Sequence, residues 1–242
     1  MTPVIEQLLH HHSVRHFAQR PLDEQTIHTL ITAAQAAPTS HYLQAYRFLG
    51  ITEPQLKKAI ADICGQSHVE NNGHLFIVLA DLSRPAMLMP GIETLGSTEN
   101  LLVATIDAAL AAQNLTVAAK SLGLGCCYLG SIRNNTQALI ELLHLPPYVY
   151  PLFGIAVGYP ENDHASTKPR LPFQEIYQEN AYDAQNFQQN MTKYDQTVAD
   201  YYHSRQQNAR TDHWSEQLCR YFSTPRRLDV HDTLQQQGYL KQ

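Results

Sequence analysis

The strongest constraint on this chain is the stretch from Thr98 to Leu122, which contains neither proline nor glycine. Leu101, Leu102, Val103, Ile106, Leu110, Leu115, Val117 and Leu122 put apolar side chains on every face of the helix it predicts. A helix apolar all round must be covered on all sides, and in a domain of this size a second subunit can supply part of the cover. The most apolar part, Leu101 to Ala112, is broken by Asp107 and followed by Gln113 and Asn114. That falls short of the ~20 residues a membrane span needs, so no membrane association is expected.

Around this helix the pattern mixes helices and strands. Val4, Ile5, Leu8 and Leu9 suggest a first helix, and Asp23 caps a second whose Ile27, Leu30, Ile31 and Ala34 form one stripe. Tyr46 to Thr52 reads as a strand, and Thr52 and Pro54 open a helix with Leu56, Ala59, Ile60 and Ile63 on one face. Leu75 to Ala80 is a continuous apolar run of strand length, the mark of a strand covered on both faces. Cys126 to Ile132 and Val149 to Val157 read as further buried strands, with a helix near Asn134 to Leu143 between them. Residues 159–186 form a polar connection. Helical patterns follow from Phe187 to Tyr201, around Trp214 and after Val230. Too few βαβ units are present for a doubly wound sheet, so the expected fold class is α+β, a sandwich. With no Gly/Ser- or Pro-rich linker, the expectation is one domain over 1–242, with a core at 1–160 and an extension at 161–242. A chain this long can bury roughly 70–75% of its unfolded surface without a staple.

Charge and cysteine content narrow the class. The chain carries 17 Lys and Arg against 22 Asp and Glu, a net charge of −5. Residues 187–242 depart from that balance, with seven basic and six acidic side chains and five of the arginines: Arg205, Arg210, Arg220, Arg226 and Arg227. One reading is a solvated helical surface; the other is a local anion site, since Arg offers a rigid donor fork to phosphate. Without a basic pI or a dense Lys/Arg stripe, nucleic-acid binding is not expected. Four scattered cysteines and an N-terminus without a signal-peptide pattern lead to a reduced, cytoplasmic protein.

The dinucleotide fingerprint G-x-G-x-x-G is missing. Gly123-Leu124-Gly125 has Tyr128 at the third position and lies between a helix and a strand, the reverse of the required order. The segment His10-His11-His12-Ser13-Val14-Arg15-His16 admits three readings: a metal site, a solvated helix end, or an anion site built from imidazole, hydroxyl, backbone N–H and guanidinium donors. The anion site is preferred, because adjacent histidines on a helix end diverge and only His12 and His16 share i, i+4 spacing; no metal is expected. A second basic cluster, Lys168-Pro169-Arg170-Leu171-Pro172, is stiffened by Pro169 between its cations. Two distant basic clusters in an acidic chain suggest a bound phosphate dianion.

These segments resemble the FMN-dependent nitroreductase superfamily, in its branch of oxygen-insensitive NADPH nitroreductase A and flavin reductase P. The likeness runs from Met1-Thr2-Pro3 to Gln-Gly-Tyr-Leu at 237–240. It is carried by His11-x-Ser13-x-Arg15-His16-Phe17, Leu43-Gln44, Ser121-Leu122-Gly123-Leu124-Gly125, Tyr128-x-Gly130-x-x-Arg133-Asn134-Asn135, Pro151-Leu152-Phe153-Gly154, Lys168-Pro169-Arg170-Leu171-Pro172, and Tyr201-Tyr202 with Arg205. The resemblance implies a central mixed or antiparallel sheet flanked by helices, and a homodimer joined through the long central helix with FMN at the subunit interface. It also implies a helical C-terminal extension that contributes to cofactor and NADPH binding.

Carried over residue by residue, His11, Ser13, Lys168 and Arg170 hold the FMN phosphate, and Arg15 approaches the pyrimidine end of the flavin. Gln66 corresponds to a glutamine near the ring, and Ser40 lies against the cofactor. Tyr128, Leu129, Gly130 and Ser131 form the backbone segment beside the flavin, with Asn134 as a ribityl or ring contact. His12 stands where relatives carry Arg, replacing a permanent cation with a group that titrates near neutrality. FMN affinity is therefore expected to rise as pH falls toward 6, and His12→Arg to tighten binding and flatten that profile. Arg205, Arg210 and Arg227 align with a patch for the NADPH 2′-phosphate, although Thr211 replaces a second arginine and Leu228 a proline.

The implied activity is two-electron, ping-pong reduction of nitroaromatics, quinones and similar acceptors, with NADPH preferred over NADH and FMN carrying the chemistry; no catalytic side chain is required. The alternatives are an NAD(P)H:FMN reductase that releases reduced flavin and a flavin-binding sensor without turnover.

Overall fold

The computed structural model describes residues 1–161, 167–204, 210 and 212–241. Its frame is a four-stranded sheet of β1 (Tyr46–Ile51), β2 (His74–Asp81), β3 (Gly125–Leu129) and β4 (Val149–Gly158), in the order β1-β2-β4-β3. Every pairing is antiparallel, with Phe48 opposite Val78, Phe76 opposite Ile155 and Cys127 opposite Ala156. The run at 75–80 is buried on both faces even though its neighbours are antiparallel, because helices cover both sides. Phe76, Val78 and Ala80 join α2 (Glu24–Gln35) and α5 (Thr98–Ser121) in one hydrophobic cluster. Leu75, Ile77 and Leu79 join α3 (Pro54–Cys64) and α6 (Thr136–Leu142) in the other.

Local chemistry sets the element ends. The Asp23 carboxylate accepts the Thr26 N–H at 2.7 Å and starts α2, and Ser97 does the same for α5 through Asn100. Gly123 leaves α5 with φ +74°, a conformation that suits glycine. Pro151 cannot donate to a ladder, and the register shifts beside it, leaving Leu152 unpaired between Pro151 and Phe153. The Arg133 guanidinium takes the Leu152 carbonyl.

The apolar run at 101–112 is short, but the whole of α5 spans 24 residues and, by length and composition alone, is long and apolar enough to cross a bilayer, unlike the sequence expectation. Its Ala104, Ala108, Ala111, Ala112, Leu115 and Ala119, however, are buried against the sheet and α2. The opposite stripe differs: Leu102, Ile106 and Leu110 are 52%, 57% and 40% exposed. Within one chain the cover that the sequence demands is supplied on one side. The short α1 (Pro3–Leu9) is tied to α5 by Gln7 Nε2, which donates to the Val117 carbonyl at 2.6 Å, and it too leaves Val4, Ile5, Leu8 and Leu9 exposed.

The chain divides into two compact units, Met1–Ala165 with Arg227–Gln242, and Ser166–Arg226. The first also holds α4 (Ser83–Leu88), which the sequence pattern does not announce, and α9 (Val230–Gln236). Tyr239, wholly buried, seats its hydroxyl on the Tyr148 carbonyl at 2.7 Å. The second unit is built on α7 (Phe187–His203) and α8 (Trp214–Phe222) around Tyr194, Val198 and Tyr202. Asp195 caps α8 by accepting the Ser215 N–H at 2.9 Å and its hydroxyl at 2.5 Å.

Candidate functional site

The N-terminal motif is fastened to the end of the sheet. Val14 N–H donates to the Cys126 carbonyl at 3.0 Å, Ala18 N–H to Tyr159 at 2.9 Å, and Phe17 bridges Pro160. Gly125 and Gly158 face each other across β3 and β4, and a Cβ on Gly125 would lie 2.7 Å from Val14. Glycine there lets the 11–17 segment lie directly on β3. His11, His12 and Ser13 are half-buried, and Arg15 and His16 are exposed. His12 Nδ1 lies 3.1 Å from the His10 carbonyl.

β3 then delivers the second motif. At its end the chain turns through a 3₁₀ segment, Gly130–Asn135. The Ser131 hydroxyl donates to Gln66 Oε1 at 2.9 Å, joining two residues that are 65 positions apart in sequence. Asn134 Nδ2 donates to the Cys64 carbonyl at 3.3 Å, while Asn134 Oδ1 accepts from Arg227 at 3.1 and 3.3 Å. A Cβ on Gly130 would meet only guanidinium nitrogens, of Arg133 and Arg227, each at 3.7 Å. The Tyr128 hydroxyl is engaged by Thr116 at 2.9 Å and Gln113 at 3.3 Å on α5, so this residue offers its backbone to the Gly130 side.

Burial holds the His68 imidazole below its ordinary pKa, and the charges of Arg15 and His16 push the same way. His68 Nε2 lies 3.9 Å from Cys127 Sγ. Burial raises the Cys127 thiol against the opposing pull of Arg15 and the Ser13 hydrogen bond. Cys64 is likewise raised by burial against Ser131 and Arg227, and Cys126 is pushed up to about 12. These thiols stay protonated at neutral pH and offer no thiolate nucleophile. Arg133 and Arg227 beside the open Gly130 backbone, with Gln66, Ser131 and Asn134 on the same segment and Arg15 against Cys127, suit a planar, electron-poor ring that accumulates negative charge on reduction.

Ser40 sits in a turn held from α5: its N–H donates to Asp107 Oδ1 at 2.9 Å, and the Ala45 N–H to Oδ2 at 3.1 Å. Asp107, which reads in sequence only as a break in an apolar run, is 1% exposed. In the second unit Lys168 Nζ and Arg210 Cζ lie 5.9 and 5.7 Å from the same Tyr202 ring, a cation–π arrangement. Arg170 lies close enough to Tyr194 to oppose the rise that burial imposes on its phenol. Arg205 and Thr211 lie outside the described residues. Among the described residues no three His, Cys, Asp or Glu side chains gather as a metal-ligand set. A cavity of about 410 Å³ beside α4, lined by Met89, Ile92, Glu93, Leu95, Tyr148 and Lys241 among others, shares no residue with this site.

The Nitroreductase family model matches residues 8–159, and the model of the Nitroreductase family, C-terminal domain, matches residues 168–242. An NADPH-dependent oxidoreductase of Staphylococcus epidermidis is 43% identical over 98% of both chains. An FMN reductase (NADPH) of Bacillus subtilis is 42% identical over the full length of both. The solved NfrA1 nitroreductase of B. subtilis superposes with a TM-score of 0.94 at 41% identity, covering 99% of this chain and 100% of its own. The chain belongs to the nitroreductase family.

Proposed function

We propose that this protein is an FMN-dependent NADPH oxidoreductase that reduces nitroaromatics, quinones and similar acceptors. What supports the reading most is the end of β3, where Ser131 is bonded to Gln66 and Arg227 to Asn134 beside Gly130, while Ser13 and Arg15 lie against Cys127 of the same strand. Relatives named NADPH-dependent oxidoreductase and FMN reductase (NADPH) share the full chain and support both cofactor and reductant.

Bound FMN supplies the two-electron chemistry. His11, Ser13, Lys168 and Arg170 would hold its phosphate, with His12 as a further cofactor-binding residue, and the cation of Arg15 would favour negative charge at the pyrimidine end. The Tyr128–Ser131 backbone, Gln66, Asn134 and Ser40 orient the ring. Arg205, Arg210 and Arg227 recognise the NADPH 2′-phosphate; Arg227, held on Asn134, also brings a cation beside Gly130. The exposed stripes of α1 and α5 form the contact with a second copy of the chain, since an apolar surface of this kind marks a protein interface. Four free cysteines, three of them buried, suit a reducing cytoplasm. The B. subtilis relative named FMN reductase favours a second reading, in which free FMN is itself the acceptor.

Anaerobic mixing of the yellow holoenzyme with NADPH should bleach it in a single turnover, more efficiently than NADH does. Arg210→Ala should raise KM for NADPH roughly tenfold, the loss of one charge-assisted contact, and leave NADH unchanged. A holoprotein that NADPH fails to bleach is a sensor, not a reductase. NADPH consumption stimulated by excess FMN without another acceptor selects the second reading.

A further inference from the structure

The turn that carries Ser40 has a backbone its own side chains do not explain. His41, Tyr42 and Gln44 have φ of 47°, 60° and 51°, left-handed values that cost a residue with a Cβ. Burial does not compensate, because Tyr42 is 83% exposed and Leu43 53%. Internal bonds close the turn: Leu43 N–H to the Ser40 carbonyl at 2.9 Å and Tyr46 N–H to that of Gln44 at 2.8 Å. One bond reaches the sheet, from Asp81 N–H to the Ala45 carbonyl at 3.0 Å.

Thr39 Oγ1 accepts the Gln44 N–H at 3.4 Å, and the rest of the grip comes from two charged side chains of opposite sign. The buried carboxylate of Asp107 takes the N–H groups of Ser40 and Ala45, one on each oxygen. Arg84, from α4, takes the carbonyls: Nη1 donates to Gln44 at 2.8 Å and Nη2 to Tyr46 at 3.2 Å. Arg84 is in turn 3.9 Å from the buried Asp81, whose carboxylate also accepts from Arg47 at 2.6 Å. Burying a carboxylate among the alanines and Leu115 of α5 is expensive and is tolerated only where hydrogen bonds replace its water. Both Asp107 oxygens are used this way, so an amide could not substitute: it has one acceptor and would set its NH2 against a backbone donor.

We propose that Asp107 and Arg84 are positioning residues, which hold residues 39–46 in this left-handed course and thereby fix how Ser40 meets the flavin. The proposal rests on the reading of Ser40 as a flavin contact. It commits the acid that breaks the apolar helix to the cofactor site rather than to stability alone.

The test combines amide hydrogen exchange of the apoprotein with FMN titration by fluorescence quenching, on the full chain. Asp107→Asn should speed exchange at the Ser40 and Ala45 amides at least tenfold and raise the FMN Kd about tenfold. Arg84→Ala removes a half-exposed side chain and leaves the core closed, so it stands in should the Asn variant fail to fold. It should raise the Kd about fivefold with an unchanged apoprotein melting temperature, and Arg84→Lys should recover part of the loss. Ser40→Ala is the control. If it weakens FMN binding while Arg84→Ala and any folded Asp107→Asn do not, the positioning role is overturned and the Ser40 contact stands. If Ser40→Ala is also silent, the Ser40 reading falls and takes the proposal with it. Wild-type protein that leaves FMN fluorescence unquenched overturns the flavin assignment itself.

Discussion

The two faces of α5 have nearly equal apolar content and opposite fates. One is a row of small residues, Ala104, Ala108, Ala111 and Ala112 with Leu115, and it is sealed into the core. The other, Leu102, Ile106 and Leu110, has larger side chains and stands open. Small residues let α2 and the sheet approach closely, so within the chain size decides which face goes in, not hydrophobicity. The larger residues then remain as area to bury against something else. One helix thus serves the fold with one face and, in the reading proposed above, assembly with the other.

Charging the open face should have the largest effect. Ile106→Glu places a carboxylate at the centre of the proposed contact, twice over in a symmetric pair. Desolvating those charges should weaken association by at least about 4 kcal/mol, roughly a thousandfold. Bound FMN should be lost with the dimer, while the isolated chain keeps its helical circular dichroism. Sedimentation at micromolar concentration reads the outcome, and a variant that still sediments as a pair would remove the interface from this face.

Acid separates the two sides by a different route. The open stripe has nothing to titrate, but the sheet under the closed face holds His74, whose ring lies 4.4 Å from that of Phe76. Its Nε2 is buried and finds no hydrogen-bond partner among the described residues, and burial, helped by Lys57, pushes its pKa down to about 4. Above the unfolded value near 6.5 the ring is neutral in both states and carries no penalty. Below it the unfolded chain takes up a proton that the native one refuses. Stability should therefore fall from about pH 6.5 towards pH 4, by about 3 kcal/mol from this group. His68, also depressed by burial, adds a loss of the same sign. His74→Leu should flatten its share of the slope, read as the difference in melting temperature between pH 7 and pH 5 for variant and parent. Equal slopes would mean that the ring is solvated.

Much of this was legible beforehand, and the gaps have identifiable causes. The strands at 46–51, 74–81 and 149–158 follow from apolar runs, and α2 from its Asp23 cap, because those signals are local. That Gln66 and Ser131 each belong near the flavin comes from resemblance; their hydrogen bond is found only in the structure, since no spacing rule connects positions 65 apart. Asp107 and Arg84, proposed above as positioning residues, have no counterpart in the sequence reading. An aspartate in an apolar helix announces a buried charge, but its partners are backbone N–H groups, which every residue has, and three left-handed residues without a glycine leave no mark in the sequence. The exposed stripe of α5 was anticipated only as a need for cover. Which face the chain would satisfy itself depended on the size of its alanines, a matter of packing and not of period.

The closed face gives the converse and smallest effect. Ala111 is wholly buried in the cluster shared by α2, α5 and the sheet. Ala111→Leu adds three carbons where there is no room, and overpacking of this kind costs about 1–3 kcal/mol. For a chain of this size each kcal/mol lowers the melting temperature by roughly 2–4 °C. Association should be untouched, since the added volume is taken up by displacing α2 or the sheet rather than by reaching the Leu102, Ile106 and Leu110 side. Thermal melts paired with sedimentation of the same sample decide it. If Ala111→Leu splits the dimer and leaves the melting temperature alone, the helix has its roles the other way round, and small residues at close approach would then be the contact between copies.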